Sequence, residues 1–363
     1  MTRMHSLEPD IAEPRPRKPG RLGRLPIVHQ LSQSVGLQRG MLIIGLVITA
    51  VFILTAVFAP LIAPYGYSQL RDADGVFGAQ LPPGGSHLLG TTVGGYDVLS
   101  RVLWGAQTAL FVIVVAVLMS IFAGVFLGLV SGYFGGWLDR VLVVVSDAVY
   151  AFPSLLLAIV MSIVISGGQS NLIGGVFAAA ISITVVFIPQ YFRVIRAETV
   201  RIKTEAYVES ARVLGASNFR IMSRHVLRNA TRTLPLIFTL NSSEAILTLA
   251  GLGFLGFGIE PTAASEWGYD LNKSLSDVSS GIWWTSLFPG LAIVLVVMGI
   301  TLVGESLNDL ADPRLRGRRA VGASGLVAET SVVPGGTLTA GPGGLTGLEN
   351  SATPPIDDSE APR

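Results

Sequence analysis

Six long apolar runs dominate the pattern of hydrophobic and polar positions along the chain. Each run has 21 to 25 residues, few charges and no amphipathic stripe. A helix needs about 20 mostly apolar residues to cross the hydrocarbon core of a bilayer, so each run is long enough to do so. The pattern therefore predicts an all-α, polytopic membrane protein with six transmembrane helices, at about residues 41–63, 106–130, 141–165, 172–192, 234–257 and 283–303.

Prolines occur within or at the edges of several runs. A proline removes a backbone donor and clashes with the preceding turn, so it kinks or begins a helix. In a membrane protein such irregular backbone commonly lines a cavity. Kinks or helix starts are therefore expected at Pro153, Pro189, Pro235 and Pro289.

Composition supports the membrane assignment and excludes several classes of protein. Hydrophobic residues make up 50% of the chain and charged residues 13%, with a mean hydropathy of +0.60. Soluble domains carry about 25% charged residues, so a soluble globular enzyme is excluded. The absence of cysteine excludes disulfides, thiolate zinc sites and cysteine nucleophiles. The four histidines lie far apart, so no catalytic or metal-binding residue is predicted, and the net charge of +1 gives no reason to expect nucleic acid as a partner.

Lysine and arginine residues near the ends of the runs predict the orientation. With the N-terminus inside the cell, the cytoplasmic segments next to the runs hold seventeen of these residues. The outer segments hold three, which are Arg71, Arg101 and Lys273. Cytoplasmic loops carry an excess of Lys and Arg, so both termini are predicted to be cytoplasmic.

The two ends of the chain differ from the middle in composition. Residues 1–36 are rich in Pro and Arg and lack apolar periodicity, and residues 317–363 are rich in Gly, Ala, Thr, Ser and Pro. Such segments bury too little apolar surface to fold alone. Both are predicted to be disordered cytoplasmic tails that flank a membrane domain at residues 37–316.

The long loop at residues 193–233 is the most informative polar segment. A multi-span protein does not need 41 residues to connect two helices, so the loop is expected to have a function. Residues from Ala206 to Leu214 favour a helix, and Gly215 is a typical helix stop. Ser217 is suited to cap a second helix. The loop therefore predicts two helices joined by a tight turn outside the membrane, which either dock into another protein or lie on lipid headgroups.

Polar residues inside the apolar runs are candidates for a transport path. Asp147 lies one to two turns into the third run, and Glu244 lies near the middle of the fifth, beside Asn241 and Ser243. Ionisable groups in hydrocarbon are costly and often mark a pathway. A structural contact with Arg140 is the favoured interpretation of Asp147, whereas Glu244 is favoured as a residue of the translocation path.

The outer loop at residues 258–282 is acidic. An acidic outer face could bind cationic groups such as a peptide amino terminus, and a solvated loop without such a role is the alternative. The acidic residues are Glu260, Glu266, Asp270 and Asp277, against one lysine.

The long cytoplasmic loop resembles the EAA loop of ABC importer permeases. That pattern is Glu-Ala-Ala, three residues and Gly, and here Glu209-Ser210-Ala211 is followed by Gly215. The resemblance implies a coupling loop that docks into cytoplasmic ATPase subunits. The expected coupling residues are Glu205, Ala206, Glu209, Ala211, Leu214, Gly215 and Ala216.

Other stretches resemble the dipeptide/oligopeptide/nickel family of these permeases, and most closely its C-type subunit. They include LGTTVGGYDVLSRVLWGAQTAL from Leu89, SGYFGGWLDR from Ser131, FLGFG from Phe254 and DLADPR from Asp309. The resemblance covers about residues 37–316. It implies a type I ABC importer permease-like fold in the bacterial cytoplasmic membrane, in which this transmembrane permease domain forms half of a pathway for di- or oligopeptides.

The energy source for uphill transport is expected on other chains. A phosphate-binding P-loop requires Gly-Lys-Ser/Thr, and neither Lys203-Thr204 nor Lys273-Ser274 follows a glycine. The chain is therefore expected to be non-catalytic and to bind no cofactor. The resemblance implies two ATPase subunits that bind ATP and Mg²⁺, a second homologous permease subunit and an extracytoplasmic solute-binding protein, besides membrane lipid and the peptide substrate.

Three alternatives stay open at this point. A permease for nickel or another small solute shares the same motifs. A stand-alone ion-coupled carrier could use Asp147 and Glu244 as its coupling sites. A membrane scaffold without transport is disfavoured by the polar residues in the spans and by the long loop.

Overall fold

The protein is described by a computed structural model, which covers residues 37–166 and 174–311. The described residues are almost entirely helical, with one short β-hairpin in an outer loop. The elements are α1 Leu37–Ile62, β1 Arg71–Asp72, β2 Gly75–Val76, α2 Val98–Phe134, α3 Gly136–Tyr150, α4 Ser154–Ser166, α5 Gly174–Ile202, α6 Ala206–Val213, α7 Asn218–Arg220, α8 Leu227–Ala230, α9 Leu234–Phe254, α10 Trp267–Lys273, α11 Leu275–Ser279 and α12 Trp284–Ala311. A π-helical turn, Ile221–Val226, precedes α8, and a 3₁₀ turn, Thr231–Thr233, follows it.

The membrane helices agree with the predicted spans, with one correction. Five helical segments in the described part of the chain are long and apolar enough to cross a bilayer, and a sixth crossing results if α3 and α4 act together. The third apolar run was expected to be one helix, but α3 and α4 are bent by 99° relative to each other. The break precedes Ser154 and contains Pro153, which cannot continue the hydrogen-bond ladder of α3. The described helices are those of a multi-pass membrane protein.

The central contact of the fold is between α2 and α5, which lie against each other over much of their length. Three glycines four residues apart, Gly124, Gly128 and Gly132, form the contact face of α2. A Cβ atom on Gly128 would lie 2.7 Å from the carbonyl oxygen of Phe192. Small residues at this spacing let two membrane helices approach closely. The two helices therefore form a tightly packed pair around which the other spans are arranged.

Helices α2 and α5 both extend beyond the predicted apolar runs. Helix α2 begins at Val98 because Asp97 caps it, with Oδ2 accepting a hydrogen bond from the Ser100 amide at 2.8 Å. Helix α5 continues to Ile202, although its apolar run ends at about residue 192. The additional turns of α5 carry Arg193 and Arg196 and extend into the cytoplasmic loop region. This extension supports the loop that follows.

Two outer loops, residues 63–97 and 255–283, contact each other and form an outer cap. The Gln80 Nε2 donates to Asp277 Oδ1 at 2.6 Å, and the Trp284 Nε1 donates to the Thr91 carbonyl at 3.3 Å. The outer cap therefore connects the entry of α2 with the start of α12. The predicted tails, residues 1–36 and 317–363, lie outside the described residues.

Candidate functional site

The cytoplasmic loop folds into a helical hairpin, which we call the coupling hairpin and define as residues 205–226. Two backbone hydrogen bonds end helix α6. The Gly215 amide donates to the Arg212 carbonyl, and the Ala216 amide donates to the Ala211 carbonyl, each at 3.0 Å. These two bonds form a Schellman motif, and Gly215 has the positive φ of +81° that the motif requires. Ser217 caps the second helix by accepting from the Arg220 amide at 3.4 Å. The predicted glycine stop and serine cap are confirmed.

The inner face of the coupling hairpin is anchored to the membrane helices. Val208, Ile221 and Val226 are fully buried and pack in one cluster with Ile195 and Ile202 of α5. Apolar burial of this kind contributes about 1.5–3 kcal/mol for each such side chain. A displacement of the hairpin would therefore carry the cytoplasmic end of α5 with it.

Polar contacts join the same region to the end of α2. The Lys203 Nζ donates to the Gly132 carbonyl at 2.7 Å. The Tyr133 hydroxyl donates to Asn218 Oδ1 at 2.8 Å. The coupling hairpin is thus held against both members of the central helix pair.

The outer face of the coupling hairpin is apolar and open. Val213 is 82% exposed, Leu214 87% and Phe219 80%. Glu209 lies on the same open face of α6 as Val213 and Leu214. Exposed apolar clusters of this kind commonly mark interaction sites. The hairpin therefore presents an apolar tip and an adjacent carboxylate to the cytoplasm.

The predicted coupling residues lie together on this hairpin. Glu205 is the N-cap residue of α6, although its side chain makes no capping bond and instead lies 3.8 Å from Arg201. Glu209 is exposed, and no hydrogen-bond partner is seen for its carboxylate within the described part of the chain. The remaining residues form the helix and its turn, namely Ala206, Ala211, Leu214, Gly215 and Ala216. Their role in coupling stays a prediction.

The structure separates the four residues predicted for a translocation path. Asp147 pairs with Arg193 at 2.6 Å, not with Arg140 as expected, and both partners are about half-exposed. The correction follows from the length of α5, because its polar extension brings Arg193 beside α3. The Arg193 guanidinium also lies 4.3 Å from the ring centre of Tyr150.

Asn241 and Ser243 lie in helix contacts rather than in a cavity. Ser243 accepts a hydrogen bond from the Thr301 hydroxyl of α12 at 3.1 Å. Asn241 is 3% exposed, which places it inside the helix bundle. Buried polar side chains of this type join membrane helices. The Ser243 contact therefore supports a structural role, whereas the buried Asn241 Nδ2 has no hydrogen-bond partner within the described residues.

Glu244 lines a cavity. The cavity has a volume of about 270 Å³ and lies at the bend between α3 and α4, with Glu244 of α9 and Gln190 of α5 on its wall. Glu244 is ten residues from the start of α9, which is about 15 Å at the helical rise of 1.5 Å per residue. This distance is about half of a ~30 Å hydrocarbon core.

The acidic outer loop is neither an open acidic face nor a solvated loop, contrary to both expectations. Asp270 bonds the Arg101 Nε at 2.7 Å, and both side chains are buried. Asp277 is buried against Gln80, and of the four acidic residues only Glu260 is exposed. The sequence did not reveal the Arg101 pair because its partner lies 169 residues away. The sequence signal for this ion pair was the position of Arg101 at the outer end of an apolar run.

Glu266 caps α10 from inside the outer cap. Its carboxylate accepts hydrogen bonds from the Gly268 and Tyr269 amides, each at 2.7 Å. Burial raises the pKa of Glu266 to about 8, although the two backbone donors act in the opposite direction. The group is internal and belongs to the architecture of the outer cap.

Comparison with known proteins identifies the family. Residues 124–317 match the family described as binding-protein-dependent transport system inner membrane component. Residues 38–83 match the N-terminal transmembrane domain of oligopeptide transport permease C. The two matches cover the coupling hairpin and the membrane helices apart from the first part of α2, since residues 84–123 lie between them.

Similar chains are permease proteins of bacterial transport systems. The dipeptide transport system permease protein DppC of Alkalihalophilus pseudofirmus is 35% identical over 274 residues, which are 76% of this chain and 86% of that protein. The glutathione transport system permease protein GsiD of Pectobacterium atrosepticum is 32% identical over 79% of this chain and 89% of its own length. A putative peptide transport system permease protein of Brucella suis is 36% identical over 81% of this chain and 94% of its own. The chain therefore belongs to the family of binding-protein-dependent inner membrane components, the permease subunits of ABC importers, and it carries the N-terminal domain of the C-type oligopeptide permeases.

Proposed function

We propose that this chain is the permease subunit that forms half of the translocation pathway of an ATP-driven importer of di- or oligopeptides. We further propose that separate ATPase subunits drive it through the coupling hairpin. The observation that carries the coupling proposal is the contrast between the two faces of the hairpin. Its inner face is buried on α5, whereas Val213, Leu214 and Phe219 are at least 80% exposed. A surface of this kind fits a groove in a cytoplasmic partner.

The substrate class is supported by the relatives. The three relatives reported above are permease proteins of a dipeptide, a glutathione and a putative peptide transport system. Peptides are therefore proposed as the cargo in preference to nickel. Within the described residues, no group of three or more His, Cys, Asp or Glu side chains is placed to hold a metal ion, which gives a nickel pathway no support from this chain.

Mechanical coupling is the mechanism that this geometry favours. ATP binding brings two ATPase subunits together and displaces the docked hairpin, and the hairpin then moves α5. Helix α2 follows because a shift between the helices would bring the backbone at Gly128 into that of Phe192. The central helix pair thus moves as one unit between inward-open and outward-open arrangements. The partner permease supplies the other half of the pathway, and a solute-binding protein delivers peptide to the outer side.

Glu209 and Gly215 are proposed to contribute to docking in different ways. The exposed Glu209 carboxylate accepts a charge-assisted hydrogen bond from a basic residue of the ATPase groove. Gly215 forms the turn and leaves open space, since a Cβ atom there would meet no atom within 4 Å. A large side chain at Gly215 would therefore obstruct a partner, and it would also strain the turn because L-residues rarely adopt its φ of +81°.

The test is uptake of a labelled dipeptide by the complete importer in proteoliposomes, with ATP on the ATPase side. We expect Glu209→Ala, Gly215→Arg and Phe219→Ala each to lower uptake about tenfold or more, because a buried anchor residue is worth about 2 kcal/mol at an interface. The ATPase subunits should co-purify less with each variant. The matched control is Phe122→Ala, since Phe122 is 78% exposed on α2 away from the hairpin and should retain normal uptake.

Three results would contradict parts of this proposal. Normal uptake by both Glu209→Ala and Gly215→Arg would show that the hairpin does not transmit the force. Accumulation of peptide by this chain alone, in liposomes with a proton gradient and no ATP, would instead establish an ion-coupled carrier. Uptake of nickel without uptake of peptide would reassign the cargo.

A further inference from the structure

The cavity at the bend between α3 and α4 contains polar groups that the fold does not use. Glu244, Gln190 and Ser154 line it together with Tyr150 and several apolar side chains. Each of these three polar residues is only partly buried, so its side chain is accessible from the cavity. None of the three side chains has a hydrogen-bond or ion-pair partner in the described part of the chain. The cavity thus offers unpaired donors and acceptors at membrane depth.

Arg193, which lies close to the cavity wall along α5, is already engaged. Arg193 is one turn from Gln190 along α5, but its guanidinium bonds Asp147 at 2.6 Å and lies over the ring of Tyr150. Within residues 37–166 and 174–311, Glu244 therefore has no cationic partner. An unpaired ionisable group at this depth is costly and is retained where it serves a ligand or a moving contact.

The chemistry of the wall selects one class of ligand. A single carboxylate attracts a cation, and an adjacent amide and hydroxyl can bond a neutral polar group beside it. One carboxylate is too few for a calcium-like ion, which takes six to eight oxygen ligands. A primary ammonium with a neighbouring peptide group satisfies all three side chains.

The size of the cavity limits how much of a ligand it holds. A volume of about 270 Å³ corresponds to about nine waters at roughly 30 Å³ each. Such a space accommodates one terminal residue and excludes a whole oligopeptide. The cavity is therefore a subsite that holds one end of a longer molecule.

We propose that Glu244 binds the primary ammonium group at the amino terminus of a peptide in transit, while Gln190 bonds its first peptide group. This inference rests on the proposed peptide function and adds to it the residue that recognises the amino terminus. The 99° bend between α3 and α4 forms one wall of the subsite, so a movement of α5 against that bend changes its shape. Binding would then depend on the state of the transport cycle.

The test uses the absence of cysteine from the chain. Ser154→Cys places one thiol in the cavity of the assembled importer, and two methanethiosulfonates of similar size, one cationic and one anionic, compete to modify it. An opposite charge about 4 Å away is worth about 1 kcal/mol in water and a like charge costs as much, so we expect the cationic reagent to be favoured roughly thirtyfold over the anionic one. Glu244→Gln should abolish this preference. Glu305→Gln, which removes an exposed carboxylate from α12, should leave it unchanged.

Protection by peptides tests the ligand itself. A dipeptide with a free amino terminus should slow the modification of Ser154→Cys, its N-acetylated analogue should not, and Glu244→Gln should remove the difference. If Ser154→Cys fails to assemble, Leu157→Cys on the next turn of α4 gives the same measurement because Leu157 lines the same cavity.

The outcomes separate the subsite from the proposed function. Equal reaction with both reagents would overturn the subsite, because it would show that a basic residue of a neighbouring subunit already neutralises Glu244. Equal protection by both peptides would overturn it as well. ATP-driven uptake of the free dipeptide is measured on the same assembly with Ser154 unchanged. Absence of this uptake would contradict both the peptide function and the subsite. Normal uptake, together with labelling that does not depend on the charge of the reagent, would contradict the subsite alone.

Discussion

The protonation of the Glu266 carboxyl group is determined by its surroundings in the outer cap. It is 3% exposed, and both of its oxygens accept hydrogen bonds from backbone amides of α10. Arg101, the nearest cation in the cap, is bonded to Asp270. Burial therefore outweighs the two donors and raises the pKa of Glu266 from 4.5 to about 8. The same residue in an exposed loop would be ionised throughout the physiological range.

The stability of the protein should consequently depend on pH through Glu266. Because the folded state binds this proton more tightly than the unfolded state, its stabilising contribution is complete below about pH 4.5 and is lost as the pH rises through about 8. Each unit of pKa difference is worth about 1.4 kcal/mol. We expect the thermal unfolding midpoint in detergent to fall between about pH 4.5 and 8 in the unmodified chain and to fall less in Glu266→Gln. Equal pH slopes for the two proteins would contradict this assignment.

At the scale of elements, the contact between α2 and α5 depends on glycine rather than on large apolar side chains. Gly124, Gly128 and Gly132 let the backbone of α2 approach that of α5. A tightly packed interface has no room for an added methyl group. The glycine face is therefore the part of α2 that is least tolerant of substitution.

Alanine substitution provides a matched pair of variants for this contact. Gly128→Ala places a Cβ atom 2.7 Å from the Phe192 carbonyl oxygen and 3.0 Å from the Arg196 amide, so we expect a loss of about 1–3 kcal/mol in the free energy of unfolding. Gly175→Ala on α5 has its nearest neighbour at 3.9 Å and should gain up to about 1 kcal/mol from helix propensity. Thermal unfolding in detergent distinguishes them, and equal midpoints for the two variants would contradict the close helix contact.

The sequence predicts these elements well where the signal is local. Run length identified the apolar segments, and the Gly215 stop and Ser217 cap depend on the chemistry of one or two residues. The direction of the chain after Pro153 could not be predicted, because composition is the same for a straight run and for one bent by 99°. The end of α5 was missed because charged residues interrupt the apolar run after residue 192, yet the helix continues to Ile202.

The candidate site was predictable only in part, because its residues come from segments that are distant in the sequence. The position of Glu244 in an apolar run identified it as an unusual residue, but Gln190 became its neighbour only through the packing of α5 against α9. Asp147 was assigned to Arg140 on sequence proximity, whereas its partner Arg193 is 46 residues away. Contacts between distant segments require the tertiary structure.

At the scale of the whole molecule, the number of crossings follows from contacts between elements. The Lys203 Nζ bonds the Gly132 carbonyl, and the Tyr133 hydroxyl bonds Asn218, so α2 and α5 end at the same surface. Between these two ends the chain must cross the membrane an even number of times. Helix α5 accounts for one crossing, and the bent pair α3 and α4 must therefore supply the other. A re-entrant α3–α4 segment would place the coupling hairpin on the outer side, where no ATPase is present.

Single cysteines test this arrangement directly, because the unmodified chain has none. Ser86 of the outer cap and Ser223 of the second hairpin helix are both exposed. With six crossings and cytoplasmic termini, an impermeant thiol reagent should label Ser86→Cys in sealed right-side-out vesicles and should label Ser223→Cys only after the vesicles are opened. Labelling of both residues from outside would mean that the bent pair does not cross the membrane. That result would remove the hairpin from the reach of cytoplasmic ATPases and would overturn the coupling mechanism with it.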